Sequence, residues 1–510
     1  MEIFNKRANQ IKLKNIIFFG FLIVYSILLL YLSYKINISE DETYTINTTS
    51  RDLAGVIKQS YNFEGQPPFY FILLSLWRHL YPGIFFAKLF SLTCIYLSAF
   101  VFYRLVQYFS GIECSKWLLI IFLLNPFTVW AALEMRTYAF LILLSTLSIY
   151  FFFRYYFEDK IKFLYSFLVL CLLGIYTQYF FLFLIAASSL SILIFKGWKP
   201  FSIFSLFLIP IFFLFLPNLI YLGREIQMHQ THKFPQFSLI RIFNIGHTPQ
   251  SLMLAINMVH EVWINRVIRL IFLFIFIYAL LKLYRSNLKS SNLYLKKLKI
   301  ILLMVFAMII LFSLGVYVTD IGFDIKYMVV VFPLFILLFT IFNILNTIYR
   351  RLIYGSVCIF FLTLLIINYR HPVKTYDYKY IAKYVEHISR PGQPILIYRP
   401  AIAMPFSLYY KGRNKIVPIP FPVKFDSSFL INIHDTNELK QSIENAKSST
   451  TSYIMISDTT VFESRVNMNR KMVTNYIAQH YKITLDTLIY GWAKERPLRI
   501  MSFEKKSFAE

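Results

Sequence analysis

Charge is what this chain of 510 residues has least of. Only 15% of it is Asp, Glu, Lys or Arg, against about 25% in ordinary globular proteins. Acid is scarcer still, with 26 Asp and Glu against 52 Lys and Arg, a formal net charge of +26. Cysteine is rare too. The four present (Cys94, Cys114, Cys171, Cys358) lie in or beside apolar runs, so no disulfide framework is visible. Glycine-rich phosphate loops are missing, which excludes a recognisable soluble nucleotide-binding module. What is present is apolar: 57% hydrophobic residues, 54 Phe and 37 Tyr, with a mean hydropathy of +0.57. Those numbers exclude both an ordinary soluble enzyme and a disordered chain. In a soluble protein the positive charge would suggest nucleic acid. Here it falls in short gaps between long apolar runs, as in a polytopic membrane protein with no nucleic-acid partner.

A helix crosses a bilayer with roughly 20 apolar residues. The runs predict about eleven spans, at 15–34, 84–107, 116–132, 138–154, 162–177, 178–196, 200–220, 264–284, 299–318, 327–347 and 351–368. The first is too long for a signal peptide, and no small-residue cleavage site follows it. Lys6, Arg7, Lys12 and Lys14 precede it, placing the N-terminus in the cytoplasm. Alternate gaps then carry the other basic clusters, and the C-terminus comes out on the far side. The apolar stretch Pro67–Leu80 is too short to span and reads as interfacial or re-entrant. Residues 1–369 hold fourteen Asp and Glu, and ten fall in predicted outer segments: Glu40, Asp41, Glu42, Asp52, Glu64, Glu134, Glu225, Glu261, Asp320 and Asp324. Ionisable groups near a membrane are costly and often functional, so the chemistry is expected outside.

Two domains are expected: a transmembrane part, 1–369, with its first outer loop at 35–66, and a small extracytoplasmic α/β domain, 370–510. In the latter, Tyr378–Ser389, Asn437–Lys447 and Val466–His480 read as helices. Pro394–Arg399 and Ser452–Ser457 read as strands, with Ile483–Tyr490 and Leu498–Glu504 as a terminal strand pair.

Four outer features carry candidate chemistry. Glu40-Asp41-Glu42 follows the first span. Three adjacent carboxylates repel one another, so at least one needs a partner or a raised pKa. Such a group serves as a general base or an oxygen ligand for a divalent ion, or else simply marks a solvated acidic turn. Gln66-Pro67-Pro68-Phe69-Tyr70 reads as a helix start. Asn125-Pro126-Phe127 with Glu134-Met135-Arg136-Thr137-Tyr138 offers either a local ion pair or an anion site, since the arginine fork matches phosphate oxygens. Lys326-Tyr327, ahead of Pro333, is an interfacial lysine or a second cation. The long outer segment Tyr221–Trp263 holds His229, His232, His247 and His260. It reads as a covering loop that touches the acceptor, with a metal pair at His229 and His232 as the lesser alternative.

Together, in this order, Asp41-Glu42-Thr43-Tyr44-Thr45, Gln66-Pro67-Pro68, Asn125-Pro126-Phe127, Glu134-x-Arg136-x-Tyr138 and Lys326-Tyr327 resemble the GT-C membrane glycosyltransferases. The nearest branch contains the protein O-mannosyltransferases and the lipid A aminoarabinose transferase. The resemblance spans roughly residues 15–370. This chain departs from it at Gln66, where relatives carry His before Pro-Pro, and at Lys88, where an Arg is common.

The resemblance implies an inverting transferase that moves a sugar from a polyprenyl-phosphate donor to a lipid, glycan or protein acceptor. It implies Asp41 as base, with Glu42 orienting Asp41 or contacting the sugar. Arg136 and Lys326 would clamp the donor phosphate, with Glu134, Tyr138, Tyr327 and Lys88 around it. No cofactor is required by it, though a divalent metal is compatible. The implied location is a bacterial inner membrane, with the active site and C-terminal domain facing the periplasm. The rivals are a diphosphate-lipid-dependent glycan ligase or polymerase, and a transporter. A transporter should show internal repeats and mid-membrane charges. The sequons at Asn37 and Asn47 matter only in a eukaryotic secretory compartment.

Overall fold

The computed structural model describes residues 2–231, 262–287, 293–319, 325–374, 376–425, 435–446, 451–458, 464–491 and 497–506. The chain packs as two compact units, one of residues 1–33 and 65–368 and the other of residues 34–64 and 369–510. The sequence division at residue 369 is thus modified in one respect. The first outer loop packs with the C-terminal residues.

The first unit is helical. Among the described residues, seven helices are long and apolar enough to cross a membrane: Asn15–Lys35, Ile84–Ser110, Tyr138–Glu158, Trp198–Arg224, Leu293–Gly315, Lys326–Ile344 and Thr347–Tyr369. This is a multi-pass membrane protein. The run expected at 116–132 is two helices, Ile112–Leu124 and Pro126–Leu133, bent by 55°. Pro126 lacks the N–H that would continue the first helix. The Asn125 side chain restarts the second by accepting a 2.8 Å hydrogen bond from the Phe127 N–H. The run at 327–347 is also irregular: 3₁₀ turns Ile325–Val331 and Leu338–Ile344 flank a short α-helix, Phe332–Leu337. Pro67-Pro68 leads into a helix of only 12 residues, Phe69–Leu80, as its short apolar run predicts.

Two further short helices, Ile161–Ile175 and Phe181–Lys196, are joined by residues 176–180, with Gly174 in the last turn of the first. A Cβ there would lie 2.4 Å from the Phe181 ring, so any larger residue would force that ring to move. Helix Trp198–Thr231 runs past the predicted loop start at Tyr221. His232, His247 and His260 fall outside the described residues, as do Asp320 and Asp324.

The second unit is built on a five-stranded sheet: β1 (Ile395–Tyr398), β2 (Ile416–Ile419), β3 (Ser452–Asp458), β4 (Tyr481–Ile489) and β5 (Leu498–Lys505), in the order β2-β1-β3-β5-β4. The first three are mutually parallel, and β5 and β4 complete the sheet antiparallel. Alternation along β1 sends Ile395 and Ile397 to one face, against helices Tyr378–Ile388 and Pro400–Tyr409. Leu396 and Tyr398 face the other side, against helices Thr436–Asn445 and Ser464–His480. Both faces are therefore covered, as parallel strands with apolar side chains on both sides require. Within residues 370–510 the sequence reading places every described strand except β2, and every described helix except Pro400–Tyr409. Pro405 within that helix and Pro418 within β2 hide both elements. The first outer loop folds into helices Glu40–Thr49 and Leu53–Asn62. Tyr44 of the first and Phe63, just after the second, cluster with Ala401 of the sheet domain.

Candidate active site

In the second unit the acidic tripeptide opens a helix. Ser39 caps it, and Glu42 returns the interaction by accepting a 2.7 Å hydrogen bond from the Ser39 N–H. This reciprocal arrangement satisfies two backbone donors at the helix start, where negative charge is also favoured by the helix dipole. Glu42 is fully buried and forms an ion pair with Lys374. Its carboxylate is thereby committed to holding the turn. Glu40 lies 3.6 Å from the Arg399 guanidinium and accepts a 3.3 Å hydrogen bond from the Tyr378 hydroxyl. Asp41, between them, is exposed.

The predicted need for a partner or a raised pKa is met at Glu40. Burial pushes its carboxyl up, Arg399 opposes the shift, and Asp458 and Asp41 add to it. Arg399 also pairs with Asp458, which accepts a 2.6 Å hydrogen bond from the Tyr376 hydroxyl. Partial burial works against the charge on this half-buried guanidinium, but Glu40 and Asp458 hold it firmly charged. Arg399 sits at φ 65°, a backbone conformation that L residues rarely adopt and that costs on the order of 1–3 kcal/mol.

Asn37 anchors the turn from the other side. Its amide donates to the Tyr376 carbonyl at 2.6 Å and accepts from the Lys374 N–H at 2.9 Å. With 1% of its surface exposed, Asn37 is a structural residue and not an accessible glycosylation acceptor.

In the first unit, helix Pro126–Leu133 delivers Glu134 in extended conformation at its end. Glu134 is buried, and its carbonyl accepts a 2.7 Å hydrogen bond from the Ser91 hydroxyl. Lys88 is fully buried one helical turn before Ser91 on helix Ile84–Ser110. Ser91 thus ties helix Ile84–Ser110 to the segment that carries Glu134 and Arg136. Arg136 is half-buried, and the Tyr138 ring packs against Trp130 at a tilt, with ring centroids 4.7 Å apart. Lys326 and Tyr327 open the 3₁₀ turn that packs on helix Tyr138–Glu158. Tyr327 lies 5.3 Å from the Phe180 ring. The elements carrying the expected phosphate ligands thus belong to one packed unit, and Asp41 and Glu42 to the other. Among the described residues no three His, Cys, Asp or Glu side chains converge on a metal position.

The crystal structure of ArnT from Cupriavidus metallidurans in the apo state matches this chain with a TM-score of 0.53 and 11% identity, covering 94% of this chain and 98% of that one. Its fold is the GT-C fold. ArnT from the same organism bound to undecaprenyl phosphate matches over the same shares at 11% identity, with a TM-score of 0.39. No family model matches the chain, and no curated protein is significantly similar to it. On this GT-C fold, sequence reasoning overlooks Asn37, Lys374, Tyr376, Tyr378, Arg399, Asp458 and Ser91. Only Asn37 adjoins a recognisable motif. The others sit far from the residues they hold in the chain, and no local pattern marks them.

Proposed function

We propose that this protein is an inverting glycosyltransferase that moves a sugar from a polyprenyl-phosphate donor to an acceptor hydroxyl on the outer face of a bacterial inner membrane. The single observation that carries the reading is the accessibility of Asp41: it is exposed, whereas Glu42 is fully buried against Lys374 and Glu40 is partly buried beside Arg399. That observation coincides with a GT-C fold and with the motif order quoted above. A fold alone hosts many activities, so the residues have to supply the argument.

In the proposed step the acceptor O–H gives its proton to Asp41, and its oxygen forms a bond to the anomeric carbon. The bond from that carbon to the phosphate oxygen breaks, and its electron pair leaves with the lipid phosphate. Arg136 and Lys326 balance the charge that accumulates there, with Tyr138, Tyr327, Glu134 and Lys88 shaping their surroundings. Glu42 acts by orienting the turn that bears Asp41.

The test uses purified full-length protein with monophosphate- and diphosphate-linked sugar lipids as separate donors. Transfer is expected from the monophosphate only; transfer from the diphosphate alone would replace this reading with the ligase. Asp41→Asn is expected to lower kcat by about 10²–10⁴-fold, the usual contribution of a general base. Arg136→Ala is expected to cost about 2.7–4 kcal/mol in the transfer step, as loss of one well-placed charge-stabilising donor does. Undiminished rates in either variant would remove that residue's role.

A further inference from the structure

In open α/β sheets, ligands bind beyond the carboxyl ends of the parallel strands, where the strand order reverses. This sheet has such a point. From β1 the chain goes to β2 on one side and then returns to β3 on the other. The two crossovers place helices Pro400–Tyr409 and Thr436–Asn445 on opposite faces. Arg399 stands directly beyond the end of β1, and Asp458 is the last residue of β3. What reaches them is a side chain of the first outer loop, Glu40, while Tyr378 donates to the same carboxylate.

One residue further along, Asp41 faces out. The next, Glu42, is held by Lys374, at the entry to the sheet domain. Asn37 ties the chain just before the turn to the backbone at residues 374 and 376. The Ile38 N–H donates to the Tyr409 hydroxyl at 3.0 Å. Each anchor comes from residues 374–458, and they flank Asp41 on both sides.

We infer that the C-terminal α/β domain is a positioning module whose ligand crevice is filled by this chain's own acidic turn, with Arg399 and Lys374 as positioning residues that hold Glu40 and Glu42 and so fix Asp41. The inference rests on Asp41 being the base. It assigns the sheet domain a role in the rate of transfer rather than in capturing the acceptor. The two ion pairs hold the turn on either side of Asp41, in addition to the Asn37 and Ile38 contacts that tie the chain just before it. Small misplacements of a catalytic group have large kinetic effects.

The experiment compares full-length wild type with Lys374→Met, Arg399→Met and Lys374→Arg. It reads two quantities: kcat and KM for the donor, and hydrogen exchange of the amides in helix Glu40–Thr49. Either Met variant should lower kcat about 100-fold with the donor KM within about twofold of wild type. The helix amides should exchange at least about tenfold faster, with β1 and β3 amides unchanged, as expected for a local opening. Lys374→Arg should keep most of the rate. The two Met variants test separate anchors, so failure of one to fold leaves the other decisive.

Unchanged exchange in the helix would overturn the inference. So would exchange that rises equally through the sheet, a loss expressed in KM alone, or an Arg variant as slow as the Met variant. Hydrogen exchange needs no donor, so a wild-type protein that transferred no sugar would end the functional reading while the anchoring of the turn was still decided.

Discussion

Three neighbouring carboxylates with one net task illustrate how residue type underdetermines role. Glu40, Asp41 and Glu42 share a charge and differ by at most one methylene. The surroundings separate them into a partly buried member paired with Arg399, an exposed member, and a fully buried member paired with Lys374. Glu40 carries a measurable consequence. Burial raises its carboxyl above the ordinary carboxylate range, so the folded state holds that proton more tightly than the unfolded chain. As pH rises from the ordinary value through the raised one, the folded state retains protons that the unfolded state has lost, and stability falls. Glu40→Gln removes this term. Its thermal midpoint relative to wild type should therefore be higher at pH 8 than at pH 4. A relative midpoint that declined between pH 4 and pH 8 would show that pairing with Arg399 outweighs burial.

At the scale of elements, two bends set where the first unit presents its polar residues. Asn125-Pro126 breaks an apolar run that composition alone reads as one span, and the 55° turn leads into the segment bearing Glu134, Arg136 and Tyr138. Gly174, in the last turn of the first of two short apolar helices, leaves room for the Phe181 ring of the second, and Tyr176 just beyond it accepts a 3.0 Å hydrogen bond from the Phe69 N–H. Gly174→Ala places a methyl group against the Phe181 ring. Such overpacking typically costs about 1–3 kcal/mol, which a detergent-solubilised thermal melt should report as a lower midpoint. A midpoint equal to wild type would mean that the ring yields freely. The break at Pro126 is foreshadowed by its residue type, because proline cannot continue a helix hydrogen-bond ladder. The 3₁₀ turns around Phe332–Leu337 are not, since their sequence is as apolar as that of a regular span.

For the molecule as a whole, the distribution of charge predicts sidedness. Basic residues precede the first span and recur in alternate gaps, so reporter domains fused after residue 510 should be active only outside the cytoplasm, and those fused before residue 2 only inside it. The reverse pattern would invert the proposed location of the transfer. Pattern and composition by themselves determined that this is a multi-pass helical protein followed by an α/β domain, because bilayer thickness and strand alternation impose periods that a linear reading detects. They also marked Asp41, Glu42 and Arg136 as residues worth explaining. Tertiary structure alone decided that Glu42 is an anchor, that Lys374 and Arg399 belong with a turn more than 300 positions away, and that the first outer loop packs with the sheet domain. The physical reason is that a buried charge must find an opposite charge wherever the fold supplies one, and the spacing between such partners leaves no trace in local sequence.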